Sequence, residues 1–171
     1  MSKHGSPTLT PDGAGLRVTI VAASWHTVIM DGLLAGAQRS LHRAGVTDIT
    51  VMRVPGSFEL PLGVQHAAQS AADAVIALGV VIRGGTPHFD YVCQAATLGI
   101  STVALNTGVP VGFGLLTCDD EAQAIDRAGL EGSSEDKGAE AAEAAIEMAT
   151  LLRADAGSVA GQRRRRSNPL I

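Results

Sequence analysis

The stretch Gly84-Gly85-Thr86-Pro87-His88 combines the residue types of an anion-binding turn with a side chain that can move protons. Adjacent glycines let the backbone approach a ligand closely, and Thr86 before Pro87 is the pattern of an N-cap and first helical residue. The helix N-terminus would favour a phosphate. His88 in the first turn is predicted to be neutral and to transfer protons. A well-capped turn followed by a surface histidine would also explain these residues.

Three further side chains could contact a ligand, and each has a structural explanation as well. Trp25, the single tryptophan, could stack on a planar heterocycle or belong to the apolar stripe of the next helix. Glu59, after Pro55-Gly56, could accept hydrogen bonds, but the dipole of a first helical turn also stabilises a carboxylate there. Arg127 could bind an anion or cap the C-terminus of a helix.

The remaining histidines and the two cysteines show no pattern of a metal site or a nucleophile. Cys93 and Cys118 lie in apolar segments and are predicted to be packing residues of a reduced protein. Four histidines lack partners at ligand spacing, so no metal site is predicted: His4, His26, His42 and His66.

The elements that would carry these residues alternate along the chain between apolar runs and amphipathic stretches. The predicted strands are residues 16–22, 49–54, 74–82 and 101–106, with another extended piece at 112–117. The predicted helices are one capped by Ser24 and ended by Gly45, one capped by Ser57, one capped by Thr86 and ending near Gly99, and residues 119–128 and 136–154.

This alternation predicts the α/β class, a three-layer α/β/α sandwich around a central, mainly parallel four-stranded sheet. The link from strand 101–106 to 112–117 is too short for a parallel crossover, so residues 112–117 are expected as a short antiparallel edge strand or an extension. Ligands of such folds bind at the carboxyl ends of the strands. We expect a domain at 16–154, a flexible or neighbour-docked arm at 1–15 and an Arg-rich mobile tail at 155–171.

Composition and charge exclude several classes of protein. The 171 residues, 46% hydrophobic and 18% charged, predict one globular domain. Four of the 13 basic residues form Arg163–Arg166, which leaves nine against 17 acidic residues and does not favour nucleic acid or a membrane surface. The stretch from Tyr91 to Cys118 has no charge but is interrupted by polar residues, which predicts buried core or a subunit contact. The missing signal pattern predicts a cytoplasmic protein.

Together these stretches resemble the lumazine synthase family of riboflavin biosynthesis, in family order between about residues 16 and 154. The matching segments are Ser24-Trp25-His26, 54–61 (VPGSFELP), 77–92 (ALGVVIRGGTPHFDYV), 113–117 (FGLLT) and 126–129 (DRAG). The resemblance implies a flavodoxin-like sheet of order 2-1-3-4. It also implies the condensation of 5-amino-6-(D-ribitylamino)uracil with 3,4-dihydroxy-2-butanone 4-phosphate to 6,7-dimethyl-8-ribityllumazine, phosphate and water, with no metal or redox cofactor.

The resemblance further implies a role for each candidate residue. The ribitylaminouracil would contact Trp25, Ser57, Phe58, Glu59, Val80, Val81, Ile82 and Phe113. The butanone phosphate would contact Gly85, Thr86, Arg127 and Lys137, while His88 would shuttle protons. The family site lies between subunits, so Phe113 and Arg127 would come from a neighbouring copy. Trp25 stands where many members have Phe, and Ser57 where Ala is common.

The resemblance can be weighed against other functional classes, and it also predicts the assembly. A catalytically idle relative could bind flavin-like ligands or act as a scaffold, but His88 and Arg127 are both present. A flavodoxin-like carrier would not need a proton shuttle.

Family members form rings of five, and some stack twelve rings into a shell. Residues 130–136 form a longer linker than that of the shell-forming members, which predicts a homopentamer.

Overall fold

The computed structural model describes residue 9 and residues 11–166. The strands are β1 (Arg17–Ala23), β2 (Asp48–Val54), β3 (Ala74–Ile82) and β4 (Val111–Cys118). The helices are α1 (Thr27–Arg43), α2 (Leu60–Gln69), α3 (His88–Thr107), α4 (Glu121–Ile125) and α5 (Lys137–Arg166), with a 3₁₀ turn at Ser57–Glu59 before α2.

The sheet is parallel throughout, with the order β2-β1-β3-β4. In the register, Ala23 of β1 pairs with Val54 of β2, and Ile82 of β3 pairs with Cys118 of β4. Helix α1 packs on α5 and α2 packs on α3, so helices cover the sheet in two pairs. The predicted α/β class and strand order are confirmed.

The core is aliphatic because the central strand is apolar at every position. Residues 74–80 of β3 are all buried, as expected for a parallel strand covered on both faces. The largest fully buried side chains around it include Ile20, Leu33, Leu78 and Ile146. The fold therefore rests on close packing of branched side chains, which fixes the strand ends that carry the candidate site.

The predicted strand at residues 101–106 is wrong, because α3 continues through Gly99 to Thr107. Gly99 lies against the Pro61 ring, so it serves a close contact between α3 and α2 instead of ending the helix. Ala96, Ile100 and Val103 are buried at helical spacing. The predicted antiparallel edge or extension at 112–117 is also wrong, because α3 supplies the crossover that makes β4 a parallel strand.

The predicted serine and threonine caps are wrong as well. The Ser24 hydroxyl donates to the Val54 carbonyl at 2.8 Å, and the Ser57 hydroxyl donates to the Val80 carbonyl at 3.1 Å. Helix α1 begins only at Thr27, and α3 begins at His88 with no side-chain cap. Both serines tie a loop to a neighbouring strand, which satisfies a strand carbonyl in place of a helix N–H.

The last helices differ in length from the prediction. Helix α4 covers only Glu121–Ile125, capped by the Asp120 carboxylate, which accepts from the Gln123 N–H at 2.8 Å. Helix α5 runs on through residues 155–166, past the predicted end at Ala154. Residues 167–171 lie outside the described residues, and the mobility of the tail stays a prediction.

The part of the arm that the structure describes is held against the domain. The Gly13 N–H donates to the Ala44 carbonyl at 2.7 Å, and the Thr150 hydroxyl donates to the Asp12 carbonyl at 3.0 Å. Residues 1–8 and 10 of the predicted arm lie outside the described residues. Among residues 9 and 11–166, no helix is both long and apolar enough to cross a membrane.

Candidate active site

The side chains of Trp25 and Glu59 both lie close to Gly56, at the carboxyl ends of β1 and β2. A Cβ atom placed on Gly56 would lie 3.2 Å from Glu59 Oε2 and 3.7 Å from the Trp25 atoms Cδ1 and Nε1. The indole is 69% exposed, so the interpretation of Trp25 as part of a buried helical stripe is wrong. Phe58, between them in sequence, is also exposed. The strand ends thus present an aromatic face beside a carboxylate.

The turn after β1 holds Trp25 in this exposed position. His26 adopts the left-handed conformation, with φ of 58°, which is uncommon for a residue other than glycine. The Arg53 guanidinium donates to the Ala23 carbonyl at 3.2 Å, and the Ser24 hydroxyl donates to the Val54 carbonyl, so β2 anchors the start of the turn. Strained backbone of this kind is found preferentially at functional sites.

Strand β3 extends beyond the end of β1, and its last residues form a wall beside Trp25 and Glu59 at the carboxyl ends of the strands. Its last residue paired with β1 is Leu78, whereas the strand runs on to Ile82. Val80 is buried, and Val81 and Ile82 are half-buried. Ser57 is buried with its hydroxyl bonded to the Val80 carbonyl, so that hydroxyl has a structural role here.

The Gly84-Gly85 turn beyond β3 is open. A Cβ atom on either glycine would meet nothing within 4 Å, and both residues are exposed. Thr86 and His88 are exposed as well, and His88 is the first residue of the 20-residue helix α3. The free N–H groups of this helix end can therefore reach an anion in the turn.

Arg83 anchors this turn, a role that the sequence interpretation missed. Its Nε donates to Asp119 Oδ1 at 2.9 Å and its Nη1 to Asp90 Oδ1 at 3.3 Å, while the guanidinium lies 4.1 Å from the centre of the Phe89 ring. The hydrogen bond to Asp119 raises the pKa of Arg83 above its usual value. Arg83 directly precedes the glycines and Asp90 lies in the first turn of α3, so an ion pair across the turn could have been predicted from their spacing.

Phe113 is not part of the same cluster within one chain. It pairs in register with Ala77 and lies five residues before Cys118, so it is about 16 Å from the carboxyl end of β4. Strand β3 also separates β4 from β1. The partly exposed Phe113 ring instead borders an apolar groove of about 500 Å³ between α3 and β4. Its other lining residues are Thr97, Ile100, Ser101, Ala104, Leu105 and Val111.

Arg127 is half-buried after α4 and does cap that helix. Its Nη1 donates to the Gln123 carbonyl at 2.8 Å, although a guanidinium has five N–H donors in total. The Arg127 carbonyl accepts from the Lys137 N–H at 3.0 Å, which fixes the start of α5 beside it. The structural and the functional interpretations of Arg127 are therefore compatible.

Lys137 is held between two carboxylates. Its ammonium contacts Glu135 and lies 2.7 Å from Glu140. Burial alone would lower the pKa of Lys137, but the hydrogen bonds to Glu135 and Glu140 outweigh it and raise that pKa. The hydrogen bond from Lys137 also lowers the pKa of Glu135.

The fold is that of a parallel α/β protein, a class in which small molecules bind at the carboxyl ends of the strands, where these candidate residues lie. Residues 15–153 match the family model of 6,7-dimethyl-8-ribityllumazine synthase. A relative of that name from Kineococcus radiotolerans is 63% identical, covering 90% of this chain and 95% of its own length. One from Clavibacter michiganensis subsp. michiganensis is 62% identical, at 92% and 100% coverage. One from Streptomyces coelicolor is 58% identical, at 90% and 96%.

This chain belongs to the 6,7-dimethyl-8-ribityllumazine synthase family. The family resemblance of the sequence is thereby confirmed, together with the enzyme class that it implied. The relatives match nearly the whole domain, so the strand ends described above belong to the shared part of the chain.

Proposed function

We propose that this protein condenses 5-amino-6-(D-ribitylamino)uracil with 3,4-dihydroxy-2-butanone 4-phosphate to 6,7-dimethyl-8-ribityllumazine, phosphate and water. The observation that carries the proposal is that two features follow the carboxyl ends of adjacent strands: the Trp25–Gly56–Glu59 cluster and the open Gly84-Gly85 turn. The cluster has the groups for a polar heterocycle, and the turn has the groups for a phosphate. A carrier or a scaffold would not need the proton transfer that His88 can supply.

The ribitylaminouracil binds at the carboxyl ends of β1, β2 and β3 in this proposal. The exposed indole of Trp25 stacks on the pyrimidinedione ring, and the Glu59 carboxylate accepts hydrogen bonds from the ribityl hydroxyls. Phe58 and the backbone of Ser57 complete the contact with the ribityl chain. The wall formed by Val80, Val81 and Ile82 limits the depth to which the ring enters.

The butanone phosphate binds with its phosphate at the N-terminus of α3. The backbone N–H groups of Gly85 and Thr86 donate to the phosphate, because no side chain covers this turn on the described chain. Arg127 adds a forked, charge-assisted contact, and the Lys137 ammonium lies near the phosphate as a further donor. The exposed position of His88 leaves its imidazole free to approach the ketone of the bound substrate.

The reaction requires proton transfers at each step, and His88 performs them in this proposal. The arylamine adds to the ketone and the adduct loses water to form an imine. Elimination of phosphate and closure of the second ring by dehydration then give the lumazine. A neutral imidazole can accept the proton of the attacking amine and donate it to the departing hydroxyl.

The site is shared between copies of the chain, with Phe113 and Arg127 contributed by a neighbour. The distance of Phe113 from the strand ends supports this division, and so do the apolar side chains around the groove, including Leu105 at 85% exposure. We propose a homopentamer. The two free cysteines, Cys93 and Cys118, favour a reducing cytoplasmic location.

The test is an incubation of the purified protein with both substrates, followed by chromatography of the lumazine and assay of released phosphate. We expect equal amounts of both products, and neither product when one substrate is omitted. Binding of 6,7-dimethyl-8-ribityllumazine without its formation would show the idle relative instead. A flavin that stays bound through purification, without turnover, would show the carrier.

A further inference from the structure

Lys137 is an unusual phosphate ligand because its charge is already compensated. Its side chain is only 18% exposed, and that of Glu135 is 13% exposed. Atom Oε2 of Glu135 has almost no solvent contact and faces the Lys137 ammonium, while Glu140 in the first turn of α5 contacts the same ammonium. One ammonium and two carboxylates give this triad a net charge of −1.

The triad lies directly beside Arg127. Three backbone hydrogen bonds, each of 3.0 Å, join the two short segments: Gly129 N–H to the Glu135 carbonyl, Glu135 N–H to the Asp126 carbonyl, and Lys137 N–H to the Arg127 carbonyl. Residues 128 and 136 form an antiparallel bridge between them. The backbones that carry Glu135, Lys137 and Arg127 are therefore held together in one corner of the molecule, and the charge of Arg127 helps to lower the pKa of Glu135.

We propose that Glu135 weakens phosphate binding in this corner, so that the inorganic phosphate leaves readily after each turnover. The inference rests on the proposed function, which assigns Arg127 and Lys137 to the phosphate. A triad with a net charge of −1 repels a phosphate dianion, whereas a neutral triad would not. A site that bound the phosphate of substrate and product equally tightly would gain nothing in turnover once saturated.

The experiment compares Glu135→Gln with the parent enzyme as intact chains. We expect about a three- to tenfold lower inhibition constant for inorganic phosphate, from removal of one nearby charge. The KM for the butanone phosphate falls by a similar factor, and the KM for the ribitylaminouracil stays the same. Glu143→Gln is the matched control. Glu143 lies further along α5 and pairs with Arg43 of α1, away from the triad. We expect it to leave the phosphate constants unchanged.

Two further variants separate this role from a structural one. Glu135→Asp keeps the charge and should bind phosphate like the parent. The double variant Lys137→Met with Glu135→Gln should lose the tighter phosphate binding that Glu135→Gln alone produces. If Glu135→Gln does not fold, Glu140→Gln removes the second carboxylate of the same ammonium and should tighten phosphate in the same direction. Unchanged or weaker phosphate binding in the folded variant would overturn the proposal.

Calorimetry with inorganic phosphate keeps this result separate from the proposed function. An enzyme that makes no lumazine contradicts the proposed function, whatever its affinity for phosphate. An enzyme that makes lumazine, but in which Glu135→Gln does not tighten phosphate, contradicts only the role of Glu135.

Discussion

His88 combines an exposed imidazole with a fixed backbone position at the first residue of α3. We expect His88→Ala to lower kcat by about 10²-fold or less, because general acid–base catalysis is lost while the positioning of both substrates is retained. Binding of 6,7-dimethyl-8-ribityllumazine should survive. Steady-state kinetics at saturating substrates and a product titration check this. Unchanged kcat would contradict the proton-transfer role.

Arg127 caps α4 in the structure, and its proposed second role is to bind the phosphate of the butanone phosphate. Arg127→Ala should raise the KM for the butanone phosphate about 10- to 150-fold, since a charge-assisted contact contributes about 1.5–3 kcal/mol. The KM for the ribitylaminouracil should change far less. Arg127→Lys is the control, because it keeps the charge but not the fork. Equal increases in the KM of both substrates, together with a lower Tm, would mean that Arg127 serves only as the helix cap at Gln123.

The candidate site could be predicted in part from residues that follow strands. Trp25, Glu59 and the Gly84–His88 stretch were predicted at the strand ends, and the structure has them there. The hydrogen bond from the Ser57 hydroxyl to the Val80 carbonyl could not be predicted. A serine before a helix can cap it or bond to a strand, and only the tertiary contact with Val80, 23 residues away, decides between them.

The contact between α2 and α3 depends on the absence of a side chain at one position. A Cβ on Gly99 would lie 2.6 Å from Cγ of Pro61. Gly99→Ala should therefore lower the free energy of unfolding by about 1–3 kcal/mol, as overpacking does. Urea unfolding at fixed protein concentration measures it. Helix propensity alone predicts the opposite, a gain of about 1 kcal/mol, so increased stability would show that the helices separate easily.

The start of β3 is joined to β1 by an ion pair with several bonds. Asp73 accepts from the Arg17 N–H at 2.8 Å and from its guanidinium at 3.1 Å, and the Arg17 hydrogen bond lowers the pKa of Asp73. A lowered folded pKa stabilises the fold at neutral pH, and this stabilisation is lost as the pH falls below about 4.

Asp73→Asn should accordingly lower the free energy of unfolding by about 1 kcal/mol at pH 7 and by less at pH 3. Urea unfolding at both pH values measures the difference. Asp31→Asn is the control, because its pair with Arg53 is longer, at 3.6 Å, and more exposed. A loss that is equal at the two pH values would mean that the charge of Asp73 is not involved.

The apolar runs of β1 and β3 predicted these strands nearly to the residue, because a parallel strand buried on both faces tolerates few polar residues. The edge strand β2 is mostly exposed, and its β-branched residues predicted it. The same reasoning failed in the second half of α3. Ile100, Thr102 and Val103 are β-branched and favour a strand locally, but the contact of Gly99 with Pro61 and the buried helical face decide for a helix. Local preference is weaker than tertiary packing here.

At the scale of the whole molecule, the proposed division of the site between two copies of the chain requires an oligomer. We expect analytical ultracentrifugation to show a pentamer of the 17.5 kDa chain. The support is the linker at residues 130–136, which is bonded to residues 125–129 and sets the start of α5. A particle of about a megadalton would contradict the linker argument. An active monomer would contradict the shared site.

Trp25 is the only tryptophan in the chain, and it lies exposed beside Gly56 at the strand ends. Excitation near the red edge of protein absorbance therefore reports on one point of the molecule, without labels or engineering. A heterocycle stacked on the indole would quench its emission, and an absorbing product nearby would take up its energy. The protein thus carries a built-in optical probe of its own occupancy, one in every subunit.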